Sequence, residues 1–319
     1  MTIPILYGPY GSGALAHAAA FADLGANACW FHMFDADAFE TCARHRIAAC
    51  VELKTFRADF EQFPELRPIG VDGKPIRYGS LVQGVCLSQH DFVQHIEEEL
   101  LDGLKSYAPA GIWLDYLSYA GWFEQADPDL QESCFCQDCV STFCEAYDID
   151  VRTPAEILAE HAAAWERHKC ERIAAFGMHY ASLIKQQHPD CVVGAYMCPW
   201  TPNEYNHALT RIFAQDYRLL APAIDVFTPL IYTTKSGRPR TWGRSFLEQA
   251  HHFVPQQRRV QLILDALDGP QSLSETAQSR TPSWGLQVFG GAQIFNEASL
   301  CQSFSDAVTR IHSRITQYS

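Results

Sequence analysis

The chain has 319 residues, 47% of them hydrophobic, enough for a large core and ordinary for one α/β barrel. Thirty-seven acids against 24 bases give a formal net charge of −13, and no dense basic run occurs, so nucleic acid is not an expected partner. Residues 1–25 carry no basic n-region, and glycines and a proline interrupt their apolar positions; no membrane span is expected, and the expected location is cytoplasmic.

Strands and helices alternate from the start. Residues 2–7 form an apolar run ended by Gly8-Pro9, and the alanine-rich stretch 14–24 predicts a helix closed by Gly25. Residues 26–33 predict a second strand, followed by a short helix over 37–44. Residues 47–53 predict a third strand with Glu52 at its far end. These strands are apolar almost throughout, as expected when both faces of a parallel sheet are covered. Between 54 and 80 prolines and glycines accumulate, predicting a long excursion with a hairpin turn at Asp72-Gly73. A short apolar run holding Cys86 spans 81–87, and residues 91–107 have helical spacing.

The fourth strand, 111–116, ends in Asp115-Tyr116 and leads into a loop with Tyr119, Trp122 and a cysteine-rich segment. A long helix is predicted over 154–188, with Thr153 as N-cap and Pro154 in its first turn. The later strands are predicted at 191–196, 223–232, 260–264 and 286–289, and the helices at 206–220, 242–253, 272–279 and 300–316. Eight strands alternating with helices, with no linker between, predict a (β/α)₈ TIM barrel forming a single catalytic domain over 1–319. A doubly wound sheet is the other architecture with this alternation, but residues 8–13 fit neither a dinucleotide-binding nor a P-loop spacing.

In such barrels catalytic groups lie at the C-terminal strand ends. That rule selects Glu52, Asp115, Asp265 and, in the loop after the fifth strand, Glu204 as catalytic candidates. Strand-end carboxylates can equally cap helices or pair with arginines. Asp115 stands apart because the five residues before it carry no polar side chain, so its carboxyl needs partners or a task. Asp225, at the opening of the sixth strand, reads as structural. Trp30, Tyr116, Tyr119, Trp122, Trp200 and Tyr232 are candidate substrate-binding aromatics, with Trp242 and Trp284 at the same level. Flat aromatic faces mixed with carboxylates suit a carbohydrate, and a pair of carboxyls suits glycoside hydrolysis.

Cys134, Cys136 and Cys139 are packed closely enough to suggest a zinc site, with Cys86 or Cys144 as fourth ligand. Four thiolates leave no open position, so zinc there would be structural and would brace the loop above Asp115. Disulfides or an unoccupied reduced cluster are the other readings. No zinc-protease helix motif or serine nucleophile elbow occurs.

The run GIWLDY and the following CFCQDCVSTFCEAYDID resemble the strand-four region of a family of uncharacterised glycoside hydrolases with a barrel fold. VGAYMCPW, AQDYRLLAPAIDVFTPLIY and VFGGAQIF resemble later strands of the same family. The arrangement of Cys86, Cys134, Cys136 and Cys139 is similar to the zinc cluster of one barrel β-galactosidase family. That family has an Asn-Glu pair at the fourth strand where this chain has Asp115-Tyr116, so its acid/base assignment does not transfer. Many of the uncharacterised hydrolases have an arginine and a proline where this chain has Ser118 and Ala120. By analogy with α-specific barrel hydrolases, the resemblance implies a retaining glycosidase with Asp115 as nucleophile and Asp265, Glu204 or Glu52 as acid/base. A non-catalytic sugar-binding barrel and a metal-dependent lyase or isomerase are the competing expectations. The sequence leaves the oligomeric state open, a homo-oligomer included.

Overall fold

A computed structural model, which describes residues 3–77 and 84–318, shows eight parallel strands closed into a barrel with helices between them. The strands are β1 (Leu6–Tyr10), β2 (Ala28–His32), β3 (Ala48–Lys54), β4 (Gly111–Asp115), β5 (Val192–Met197) and β6 (Val226–Ile231). They continue with β7, in two pieces (Arg259–Val260 and Leu262–Asp265), and β8 (Gly285–Phe289). Each pairs with the next, and β8 closes the ring on β1 from Leu6 opposite Gly285 to Tyr10 opposite Phe289. This is the (β/α)₈ architecture the alternation predicts.

The helices are α1 (Ala18–Asp23), α2 (Ala36–His45), α3 (His90–Ser106), α4 (Gln137–Tyr147), α5 (Pro154–Glu160), α6 (Ala162–Gln187), α7 (Ala208–Arg211), α8 (Tyr217–Leu220), α9 (Trp242–Ala250), α10 (Gly269–Ala277) and α11 (Ala298–Tyr318). No helix among the described residues is long and apolar enough to cross a membrane.

Strand periodicity separates two cores. Cys29, Phe31, Val51, Leu53, Ile112, Leu114, Val193 and Ala195 face outward and join the helices in the larger core. Their alternates Ala28, Trp30, Cys50, Trp113, Val192, Tyr196 and Ile263 fill the barrel interior. The same alternation puts Glu52, Lys54, Asp115 and Asp265 on the inward side, one or two steps above the packed layers. Trp113 donates to Thr228 Oγ1 at 2.7 Å, and Gln287 is hydrogen bonded to Tyr196 and Gln261, both at 2.8 Å. The interior accommodates the Trp113 indole because residue 194 is glycine: a Cβ there would lie 2.3 Å from the ring.

Three differences from the sequence reading bear on function. β1 continues through Gly8-Pro9 to Tyr10, because Gly8 lets the backbone pass Ala28, where a Cβ would stand 1.7 Å from the carbonyl oxygen. The predicted helix 154–188 breaks at His161, leaving α5, whose Thr153–Glu156 capping box fixes its start, and α6. The predicted helix 206–220 is two single turns, α7 and α8, separated where Ala214 has φ +56° and Gln215 turns inward to accept from Cys198 N at 2.8 Å. The hairpin turn at Asp72-Gly73 is present, with Gly70 N donating to Lys74 O at 2.8 Å. The apolar run 81–87 begins in residues outside the described ones.

Candidate active site

The C-terminal mouth of the barrel holds a cleft of about 270 Å³. Its lining includes Tyr10, Glu52, Lys54, Arg57, Asp115, Tyr116, Trp122, Phe123, Glu124, Tyr196, Tyr232 and Lys235. On one wall, adjacent strands place Lys54 opposite Asp115, with Glu52 one inward step below. Tyr10 Oη donates to Glu52 Oε2 at 2.5 Å, and His32 Nδ1 and Lys54 Nζ lie 3.5 and 3.7 Å from the same oxygen. Asp115 Oδ1 accepts from Tyr116 N at 2.9 Å, and its main-chain carbonyl accepts from the hydroxyl and amide of Thr55. Tyr116 has φ +54°, a conformation uncommon for an aromatic residue, and there it turns its ring into the cleft.

Part of Asp115 is open to the cleft, but its carboxyl is enclosed by protein. Burial raises its pKa well above the usual aspartate range; the neighbouring Glu52 charge and the hydrogen bond between the two carboxyls raise it further, against smaller opposing effects of Tyr116 N and Lys54. A carboxyl raised in this way holds its proton more readily than an ordinary aspartate. Burial, the Glu52 charge and their hydrogen bond also push the Tyr10 phenol up, so Tyr10 stays a donor.

The other wall has a second acidic group. Lys235 Nζ lies 3.3 Å from Glu124 Oε2 and 3.1 Å from Asp265 Oδ2, over the faces of Tyr232 (4.5 Å) and Phe289 (4.7 Å). Burial raises the Glu124 pKa, and Lys235 pulls it back. Asp265 is nearly enclosed and also accepts from Leu267 N at 3.0 Å. Tyr232 is buried between the walls, its hydroxyl raised by burial and then by Glu124, Asp115, Asp265 and Tyr10.

The sequence candidates therefore separate. Glu52 and Asp115 are brought together, and Asp265 stands behind Lys235. Glu204 accepts from Thr201 N at 2.7 Å and Arg238 Nη2 at 2.6 Å, holding the loop after β5 rather than lining the cleft. Tyr116, Trp122 and Tyr232 line the cleft. Trp30 lies fully buried in the barrel interior, edge-on to Trp113 at 5.3 Å. Tyr119 is buried against Arg172, and Trp200 packs against Phe213 (5.6 Å) and Tyr205 (4.3 Å) behind the wall. Trp242 and Trp284 face Arg238 and Arg259. Asp225 bonds to Lys185 and Val193 N at the far end of the barrel.

Charged and hydroxyl-bearing cleft residues absent from the sequence candidates include Tyr10, Lys54, Arg57, Glu124, Tyr196 and Lys235. Strand alternation from Glu52 points to Lys54, and a correct end for β1 points to Tyr10. Glu124 and Lys235 lie in irregular loops without a comparable signal.

Cys86, Cys134, Cys136 and Cys139 converge beside the loop after β4, all four sulfurs within 4.8 Å of one another. Cys86 Sγ lies 3.6, 3.6 and 3.7 Å from Cys134, Cys136 and Cys139. These spacings are too long for disulfides, and they match the tetrahedral edge of about 3.8 Å that Zn–S bonds of about 2.3 Å give. Cys134 Sγ accepts from Ile69 N at 3.2 Å, and Cys139 Sγ from Arg172 Nη1 at 3.4 Å, as suits thiolates. The neighbouring sulfurs and Arg172 pull the Cys139 thiol well down. The four residues can hold a thiophilic metal ion with no position left open. Cys144 stands apart, directed at Val151 O.

No family model and no curated protein matches the chain. Among solved structures, the PgaB (BpsB) glycoside hydrolase domain from Bordetella bronchiseptica superposes with a TM-score of 0.73 at 13% identity, over 96% of this chain and 99% of that one. The shared fold is the (β/α)₈ barrel. A β-galactosidase from Halorubrum lacusprofundi gives a TM-score of 0.67 at 13% identity, over 98% of this chain and 58% of that enzyme. A β-1,4-mannanase from Aplysia kurodai gives 0.53 at 12%, over 95% and 92%. At these identities the likeness is one of fold.

Proposed function

We propose that the chain is a glycoside hydrolase acting on a carbohydrate in the cleft between β3/β4 and the Glu124–Lys235–Asp265 wall. The supporting observation is the pair of acidic groups across one aromatic cleft: a carboxyl kept protonated on one side and a carboxylate ion-paired to lysine on the other. Glycoside cleavage needs that asymmetry, because the leaving oxygen must receive a proton while the anomeric carbon is attacked from the opposite face. Asp115 takes the acid role rather than the nucleophile role expected by analogy, because an enclosed carboxyl sharing its proton is a poor nucleophile and a good proton donor. Glu52 and Tyr10 position it. Glu124, whose Oε2 faces Lys235, is the carboxylate that meets the sugar, and Asp265 holds Lys235 in place.

In the retaining route Glu124 bonds to the anomeric carbon while Asp115 protonates the departing oxygen. Asp115, then ionised, takes a proton from the water that releases the sugar and returns the enzyme to its starting state. Trp122, Tyr116 and Tyr232 supply ring faces for stacking. The four cysteines are assigned to a structural zinc ion that braces the loop carrying Trp122 and Glu124; it would supply no chemistry at the cleft.

A panel of aryl α- and β-glycosides tests the reading, with the first-formed anomer followed by NMR. Hydrolysis with retained configuration, abolished in Glu124→Gln, supports it. Inversion would make Glu124 the base that activates water, and binding without turnover across the panel would leave a sugar-binding barrel.

A further inference from the structure

Three cations line the cleft, and two are occupied: Lys54 faces Glu52, and Lys235 bridges Glu124 and Asp265. Arg57 differs. It stands exposed at the mouth, its guanidinium 5.9 Å above the Tyr116 ring, with no ion pair among the described residues. Residues 78–83, outside the described ones, include no Asp or Glu. The guanidinium reaches over the Tyr116 ring at 5.9 Å and has no carboxylate partner among the described residues, so its forked N–H donors are available for bidentate recognition of a planar anion.

The cleft volume of about 270 Å³ lies below that of drug-sized pockets, roughly 300–1,000 Å³, and fits a ligand on the scale of one sugar ring. Tyr116 is the residue after Asp115, so an anion held over Tyr116 belongs to the sugar at the reacting bond or to its immediate neighbour. We infer that Arg57 reads a carboxylate on the substrate, making the preferred glycosides those of uronic acids. This inference rests on the glycosidase reading for turnover, though the binding step stands without it.

Aryl glucuronides and galacturonides are compared with the matched glucosides and galactosides, in both anomers, for the wild type, Arg57→Gln and Arg57→Lys. In parallel, methyl glucuronides and methyl glucosides are titrated by calorimetry. The expected result is at least a tenfold uronide preference in kcat/KM and in affinity. That ratio falls at least tenfold in Arg57→Gln, through KM, and partly recovers in Arg57→Lys, since charge-assisted hydrogen bonds are among the stronger polar contacts. Equal or better use of the neutral sugars, equal loss on both series, or failure of every sugar to bind overturns the inference. A preference for 6-sulfated or 6-phosphorylated sugars over uronides overturns the carboxylate assignment. Uronide-selective binding, lost in Arg57→Gln, with no turnover of any glycoside keeps the inference and refutes the hydrolase.

Discussion

Replacing Asp115 by Asn isolates its proposed role as proton donor. The amide keeps an oxygen for Tyr116 N, which Asp115 Oδ1 now accepts at 2.9 Å, and offers an N–H to Glu52 in place of the shared proton. The fold should therefore persist while the acid is lost. General acid catalysis contributes about 10²–10⁴ in rate, so the barrier for poor leaving groups should rise by about 2.7–5.5 kcal/mol at 1.36 kcal/mol per tenfold. A 2,4-dinitrophenyl glycoside, whose leaving group departs without protonation, should lose far less in its glycosylation step than an alkyl or methoxyphenyl glycoside. The assay is kcat/KM across a series of aglycones of graded acidity. Stability gives an independent readout of the same carboxyl. Below about pH 3.9, the ordinary aspartate value, both folded and unfolded chains hold the proton; as pH rises the unfolded chain ionises first, because the folded value is raised, and wild-type stability declines. Asp115→Asn escapes that decline, so its Tm should exceed the wild type's at pH 7 and converge with it near pH 4. Uniform loss across all aglycones, or a Tm advantage absent at pH 7, would refute the acid assignment.

Glu124→Gln should cost kcat at least a hundredfold, because the amide cannot form the glycosyl bond, whereas Glu204→Gln should cost only about 1 kcal/mol of stability, because Glu204 anchors a partly exposed loop through Arg238; matched kinetics and urea titrations separate the two. Metal analysis of the purified chain should find about one zinc per molecule, and Cys139→Ser or a strong chelator should lower Tm and expose the loop after β4 to protease. Lys169 is fully buried, with Glu132 2.9 Å away, and Glu132 also binds Arg211 at 2.7 Å. Lys169→Met leaves that carboxylate short of a partner, and chemical denaturation should show a loss of about 3–5 kcal/mol.

Much of the fold was legible because barrel strands are buried on both faces and read as apolar runs. The run around Asp115 and the spacing of Cys134, Cys136 and Cys139 are local in the chain, and the structure brings both together with partners from elsewhere: Glu52 for the first, Cys86 for the second. Tyr10 was hidden because Gly8-Pro9 has the composition of a turn, yet a parallel strand tolerates both where a neighbouring backbone comes close. Trp30 and Trp200 were misplaced by a different cause. Trp30 lies mid-strand, in the packed layer below the cleft, and Trp200 just past the end of β5; residue type alone cannot say whether an indole faces the cleft or the packing around it. Glu124 and Lys235 meet across more than a hundred residues of chain, through loop conformations that carry no period.

The floor of the cleft is solid. Trp30 and Trp113, crossed at right angles in the room that Gly194 leaves, fill the barrel axis below the cleft, so the pocket opens at the mouth. For a double-displacement enzyme this fixes the order of events: the aglycone must depart past Trp122 before water can reach the anomeric carbon, and the sugar is the last to leave. The liberated monosaccharide should then inhibit competitively, and any alcohol that fills the vacated mouth ahead of water becomes an acceptor, turning a hydrolase toward transglycosylation.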